Sequence, residues 1–591
     1  MLNDVYSREN LDRILKRVRN VRDGESLVEA LVRRAVLTEF QEELSASIAH
    51  DVATGTWKPE PAYVCTVSKG ACGFRELCFP GTIDSIVARA AIDSIEEEIT
   101  CDDNGRAFCG RSHASTNREP GDYEKWFEVW QDYSAAISEA CEAAGYAFVY
   151  TTDVTDFFPS VAREAAKKEL ARRTSATPAL LELLFYTLET WLPRVSFAAM
   201  SGLPIDDVDV SRLIAHNFLK QVDQSVASTD YQYLRYVDDA VFIVKTREDA
   251  EKAARFQHQA LRAIGLNPSA AKSESITTDE YQSRRHRDVN LRLARVAREN
   301  NVVELLTVAR EWHERDPAAT EAWERVCVRL YAIAIKLKCW QLNEFILGDL
   351  RQATDARLVR TLFRFLRNHP FEHELSELQG IMRTCNRRRY GAEHAIYSAE
   401  FLADGMLSAD WSESIADLAF GNISDTSFDA PGRGFSKALF VLAGHKHGGK
   451  AFRDRLQELV EQDPVKVASD QHFRASYVFV MACWGQLPDR HRRLLMTDAS
   501  RDTHMALRLA DAARQGELQA HRSLLRMMPT KTQSGWTLSS RYLPLLWAGA
   551  IAGQGRVAFE AQADRWVSGD RRIVDEVARR HVEECRSRYT R

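Results

Sequence analysis

Hydrophobic positions change their period along the chain, and the change divides it in two. Over the first 60 residues, Leu11, Ile14, Leu15 and Val18 keep a helical stripe, which Leu27, Leu31, Phe40, Leu44 and Ile48 extend less regularly. From about residue 61 short β-like runs are broken by glycine and proline. "VSKGACGFRELCF" has the form of a hairpin with Gly70 and Gly73 at or near its turn. After a helical stretch, "YAFVYTTDVTDFFPS" is a β-rich run ending in a polar turn and Pro159, and residues 161–193 return to helix. "SGLPIDDVDVSRLIAHNFLKQVD" reads as a loop entering a helix with Leu213, Ile214, Phe218 and Leu219. "YQYLRYVDDAVFIVKT" reads as strand, turn, strand. A helix from about Glu248 to Ile264 is predicted to stop at Gly265. Beyond about residue 285 the strand pattern ends. Leu358, Leu362, Phe365 and Leu366 share one helical face, and similar stripes recur without a fixed repeat period. The expected fold is α+β over residues 1–285, followed by an all-helical region over 286–591.

Within "LRYVDDAVFIV" an otherwise apolar run holds Asp238 and Asp239 side by side. Adjacent carboxylates repel, and burying them without a cation costs several kcal/mol. A tight hairpin presenting two carboxylates suits a hard divalent cation such as Mg2+, with a third carboxylate needed from a neighbouring strand. Asp153 follows the run "AFVY" and lies 85 positions before Asp238, far enough for helices between them to bring the two strands together. Such a set can hold two ions about 3.5–4 Å apart, for in-line phosphoryl transfer.

Composition narrows the class. With 591 residues the chain exceeds one core; 45% hydrophobic and 28% charged content is that of a globular protein. No apolar run reaches a membrane span, and the N-terminus has no signal-peptide core. Eleven scattered cysteines without a C-x-x-C pair suggest neither a zinc knuckle nor a disulfide framework, so reduced thiols and a cytoplasmic location are expected. A net charge of -5 argues against a coat of nucleic acid but leaves room for a local basic channel.

The order of these segments resembles that of the reverse transcriptases. "DVTDFFPS", "GLPIDDVDVS" and "YVDD" are similar to the first three palm motifs, "GLNPSAAKS" to the fourth, and "VSKGACGFREL" to the finger segment that grips the incoming nucleotide, over roughly residues 57–280. The resemblance implies right-hand fingers and palm. It makes Asp153, Asp238 and Asp239 the ligands of two Mg2+ ions, with Mn2+ as a substitute, and Lys272 a proton donor to pyrophosphate. Lys69 and Arg75 would neutralise the triphosphate of a dNTP, and Phe158 would stand beneath the sugar as a steric gate against a 2′-hydroxyl. Gly202, Pro204 and Ser211 mark the second motif, which lines the substrate.

That second motif departs from the family pattern. Asp206, Asp207 and Asp209 crowd a loop that is one residue longer before Ser211, and negative charge beside a phosphate backbone implies weaker binding of an ordinary template. The long helical extension, without a maturase region, H-N-H cysteines or a "VTG" thumb motif, resembles the abortive-infection and other defence-associated bacterial enzymes. That resemblance implies a homo-oligomer acting against phage and, for some members, DNA made without a template on a tyrosine hydroxyl and left covalently attached. Tyr6 is then the priming candidate, with Tyr589 at the other end. Two alternatives stay open: a templated enzyme of a mobile element or a non-coding RNA partner, and an RNA-binding scaffold with a vestigial site.

Overall fold

The computed structural model describes the chain apart from residues 1, 21–26, 70–72, 102–105, 110–125, 193–201, 228, 230, 321, 388–391, 426–432, 550–555 and 590–591. The chain forms two compact units. The first takes residues 1–14, 45–63 and 77–289; the second takes 15–44, 64–76 and 290–591.

The first unit is built on a five-stranded sheet. Its strands are β3 (Ala107–Phe108), β4 (Phe148–Thr152), β5 (Gln232–Tyr236), β6 (Asp239–Val244) and β7 (Glu274–Thr277), in the order β3-β5-β6-β4-β7. β3 runs parallel to β5 and the other pairs are antiparallel. Central β6 is buried from Ala240 to Val244 because both its faces are covered, which explains why it reads as an unbroken apolar run. On one face Val149, Leu234, Val241 and Ile243 pack with Val129, Tyr133 and Ile137 of the Trp126–Glu142 helix. On the other, Phe242 lies 4.8 Å from Tyr233 and 5.9 Å from Tyr150, ring centre to ring centre. The Arg247–Ala263 helix packs on this sheet at β4 and β6. The Thr246 hydroxyl caps that helix by accepting from the Asp249 amide, and Gly265 just past its end takes φ 82°. The predicted stop is therefore met by a left-handed glycine.

The second unit is mainly helical. In the Ala356–Arg367 helix, Leu358, Leu362, Phe365 and Leu366 are all buried, as their spacing predicts. Three findings differ from the sequence reading. A short hairpin, β8 (Pro529–Lys531) with β9 (Trp536–Leu538), interrupts the helices. Three-residue strands are too short to show alternation, so periodicity cannot reveal them. Residues 15–44 also group with this unit rather than with the sheet. Buried Glu29 pairs with buried Arg541 at 2.6 Å, and Glu39 accepts the amides of Gln519 and Ala520 at 2.7 and 2.9 Å. The finger-like strands β1 (Tyr63–Lys69) and β2 (Gly73–Phe79) form a two-stranded sheet, and residues 64–76 of it belong to the second unit as well. The turn at Gly70 lies outside the described residues. No helix among the described residues is long and apolar enough to cross a membrane.

Phe242 is fully buried at the centre of the sheet. Phe242→Ala is expected to cost about 3–5 kcal/mol, read as a lower urea midpoint by circular dichroism, because the rings of Tyr150, Tyr231 and Tyr233 around it cannot collapse into the space.

Candidate active site

The aspartates are placed by strand pairing. β4 and β6 register Thr152 with Ala240, so one step further Asp153 stands across from Asp239, with Asp238 in the turn before it. Asp153 is 5% exposed, Asp238 half-buried and Asp239 exposed. The backbone around Asp153 is tied down by the fourth motif: Ser269 donates its amide to the Asp153 carbonyl at 2.8 Å, Thr155 to that of Asn267 at 2.9 Å, and Val154 bridges Pro268. This pairing brings Lys272, in the short turn Ala270–Lys272, into an ion pair with Asp153 Oδ2. Asp153 Oδ1 is buried and accepts from no described group. A buried carboxylate oxygen without a donor, beside two further carboxylates, fits a divalent cation as its partner.

The turn that carries the pair is strained. β5 and β6 register Tyr236 with Asp239, leaving a two-residue loop of Val237 and Asp238, and Val237 has φ 53°. A β-branched residue in the left-handed region costs on the order of 1–3 kcal/mol, so its surroundings must hold it. Arg235, 1% exposed, does so: Nη1 donates to the Val237 carbonyl at 2.7 Å and Nε to Asp223 at 2.9 Å, while Nη2 pairs with the same carboxylate. His216 Nδ1 lies 3.3 Å from Nη1, and the Tyr233 hydroxyl donates to Asp223 at 3.0 Å. On the far side of the turn Tyr133 donates to the Asp239 carbonyl at 3.2 Å. Arg235, Asp223 and Tyr133 escaped the sequence reading. Their signal there was Arg235 set between Leu234 and Tyr236 in a strand rich in aromatic residues.

The second motif packs against the first. Leu203 donates its amide to the Phe158 carbonyl at 2.9 Å, and a Cβ on Gly202 would fall 2.0 Å from the Pro159 oxygen. Only glycine permits that approach. Pro204 is buried and Phe158 half-buried, its ring 5.2 Å from that of Phe157. The added aspartates have structural work that the sequence did not disclose. Asp206 accepts the amides of Val208, Val210 and Ser211 at 3.0, 3.1 and 2.8 Å, capping the Val210–Ala227 helix. Asp209 pairs with Arg212 at 3.2 Å. Asp206 and Asp209 are thus engaged by the start of the helix that the loop leads into.

The remaining candidates are placed differently. Lys69 and Arg75 are exposed on β1 and β2. Tyr6 is 3% exposed and donates its hydroxyl to the Val87 carbonyl at 3.0 Å; burial pushes its pKa far up. The mobile terminal hydroxyl expected there is absent, because Val5 and Leu11 beside it are core residues that hold the segment down. Tyr589 ends the last helix, and its side chain lies outside the described residues.

Residues 74–302 match the family described as reverse transcriptase (RNA-dependent DNA polymerase), which is less than half of the chain. The protein therefore carries a reverse transcriptase domain and is a nucleotidyltransferase of the RNA-directed DNA polymerase type. No curated protein matches the chain.

Because strain at Val237 comes from its side chain, Val237→Gly is expected to raise the free energy of unfolding by about 1 kcal/mol. A lower denaturant midpoint would show that the turn is relaxed with valine.

Proposed function

We propose that the domain adds deoxynucleotides to a hydroxyl primer by two-metal phosphoryl transfer, and that the chain acts in abortive-infection defence against phage as a cytoplasmic homo-oligomer. The observation carrying the chemistry is the buried Asp153 carboxylate, with one oxygen lacking a donor, set across from Asp239 beside a strained turn. Asp153, Asp238 and Asp239 would hold Mg2+, which supplies activation of the attacking hydroxyl and stabilises the leaving charge. The primer oxygen forms a bond to the α-phosphorus as the bond to pyrophosphate breaks; the primer hydroxyl's proton passes to solvent, and Lys272 would give a proton to the leaving pyrophosphate. Lys69 and Arg75 stay the triphosphate contacts that the family resemblance implies, Arg75 through a guanidinium and Lys69 through an ammonium. Leu203 holds the Phe158 carbonyl and Gly202 lies against Pro159, which supports Phe158 as the sugar gate; Gly202, Pro204 and Ser211 would line the substrate, as the resemblance implies. The defence role rests on the resemblance of the helical extension.

A templated mode gains support from one observation. With Asp206 spent on a helix cap and Asp209 on Arg212, the second motif repels a phosphate backbone less than its sequence suggests. Protein priming from Tyr6 would require its buried hydroxyl to leave Val87. Purified protein given each labelled dNTP, with and without an RNA template and primer, separates the readings. Label on denatured protein without template supports protein-primed, template-independent synthesis. Label only with template supports the templated enzyme. No incorporation under either condition leaves the scaffold reading.

Asp238→Asn with Asp239→Asn is expected to lower incorporation at least about a thousandfold with an unchanged circular dichroism spectrum; full activity in the folded variant would remove these residues from catalysis. Phe158→Ala is expected to admit ribonucleotides at least about tenfold better than wild type, measured as the ratio of rNTP to dNTP incorporation. An unchanged ratio would make Phe158 a packing residue.

A further inference from the structure

Three helices of the second unit converge on a second cluster of ligand-type side chains. His313 ends the Val302–His313 helix, Cys327 lies in Trp323–Leu337, and Asp349 in Asn343–Gln352. One ligand atom from each, a ring nitrogen, the sulfur and a carboxylate oxygen, lie within 4.8 Å of one another. Cys327 is fully buried and Asp349 is 2% exposed.

The hydrogen bonds around the cluster fix its chemistry. His313 Nδ1 lies 2.7 Å from the Ala309 carbonyl, so Nδ1 carries a proton and donates it there. Nε2 then faces Asp349 Oδ2 at 3.0 Å. A neutral ring would set its lone pair against a carboxylate oxygen, which is repulsive. Either a proton lies between Nε2 and the carboxylate oxygen, or a cation does. The Tyr331 hydroxyl donates to the same carboxylate oxygen at 2.6 Å, and the Phe345 ring stacks on His313 at 4.1 Å, which sets the ring plane. Two of the three groups thus already have the outer hydrogen bonds that orient metal ligands: a backbone carbonyl on the imidazole and a hydroxyl on the carboxylate.

We propose that His313, Cys327 and Asp349 bind one thiophilic divalent transition ion, zinc in the first instance, as three protein ligands within the helical unit. Sulfur with imidazole and carboxylate is a borderline-soft donor set that favours zinc over magnesium, which separates this site from the three aspartates of the sheet. Charge balance makes the burial tolerable. One M2+ with a thiolate, a carboxylate and a neutral imidazole sums to zero. So does the metal-free arrangement of imidazolium, carboxylate and thiol.

The two arrangements differ by two protons. Metal binding forms bonds to Nε2, Sγ and a carboxylate oxygen and releases one proton from His313 and one from Cys327. In the metal-free state burial pushes His313 down, but the hydrogen bond and charge of Asp349 outweigh it and raise its pKa, with Glu344 adding to the effect. Burial raises the Cys327 thiol, as do the charges of Asp349 and Glu324, so without metal it stays protonated.

The test uses the full chain without a histidine tag, expressed in zinc-supplemented medium. Metal analysis after dialysis is expected to give about one zinc per chain. Occupancy should fall at least about tenfold in Cys327→Ser and His313→Gln and persist in the Asp238→Asn, Asp239→Asn variant. Cobalt added to metal-free wild type should give a near-ultraviolet thiolate-to-cobalt absorption, a reading that stands even if the variants fail to fold. Wild type with far less than one zinc and no cobalt band would make the cluster a hydrogen-bonded core pair only. Zinc retained by folded Cys327→Ser would also overturn the proposal.

Discussion

The sheet of the first unit is organised around one costly act, the near-complete burial of the Asp153 carboxylate at the end of β4. An isolated buried carboxylate would take up a proton rather than remain charged. Lys272 answers one oxygen, and that pairing requires the Gly265–Lys272 segment to run back beside β4 through the Ser269 amide and the Val154–Pro268 bridge. The other oxygen keeps a demand that only a further cation or donor satisfies. Much of the local architecture follows from supplying one and reserving the other.

A second constraint acts on the turn. A two-residue loop with valine in the left-handed region does not form from local preference. It persists because buried Arg235 spends its guanidinium on the Val237 carbonyl and on Asp223, and because Tyr133 holds the Asp239 carbonyl. Rigid carbonyls on both sides of Asp238 limit where its carboxylate can go, which is what positioning a metal ligand requires.

What the sequence disclosed follows from how far apart the interacting residues lie. The strands, the Asp153 and Asp238–Asp239 placement, the Gly265 stop and the stripe of Leu358 to Leu366 are encoded by period, turn residues and short motifs. Gly202 was legible as part of a motif, though the reason for it, the Pro159 oxygen, is spatial. An amphipathic stripe states that a face is buried but not against what, so the grouping of residues 15–44 with the last helices was hidden. Tyr6 looked free because it is near a terminus, whereas its apolar neighbours bury it. Asp206 looked like surplus charge because a cap is recognised only once the helix start is known. The His313, Cys327 and Asp349 cluster spans three helices and follows no ligand spacing along the chain.

The bond between Arg541 and the Leu31 carbonyl spans 510 residues, and the Glu29–Arg541 pair spans slightly more. At about 5–20 residues per second, a ribosome needs roughly half a minute to two minutes to deliver Arg541 after Glu29 has emerged. Throughout that interval Leu31, Val32, Val36 and Leu37, all buried in the finished protein, lack the late helices that complete their unit. The sheet, whose strands are all made by residue 277, can close long before then. Synthesis of this chain therefore allows a stage in which the five-stranded sheet has closed while an early apolar segment still waits for its partners. Exposed apolar surface in a nascent chain is what holdase chaperones engage.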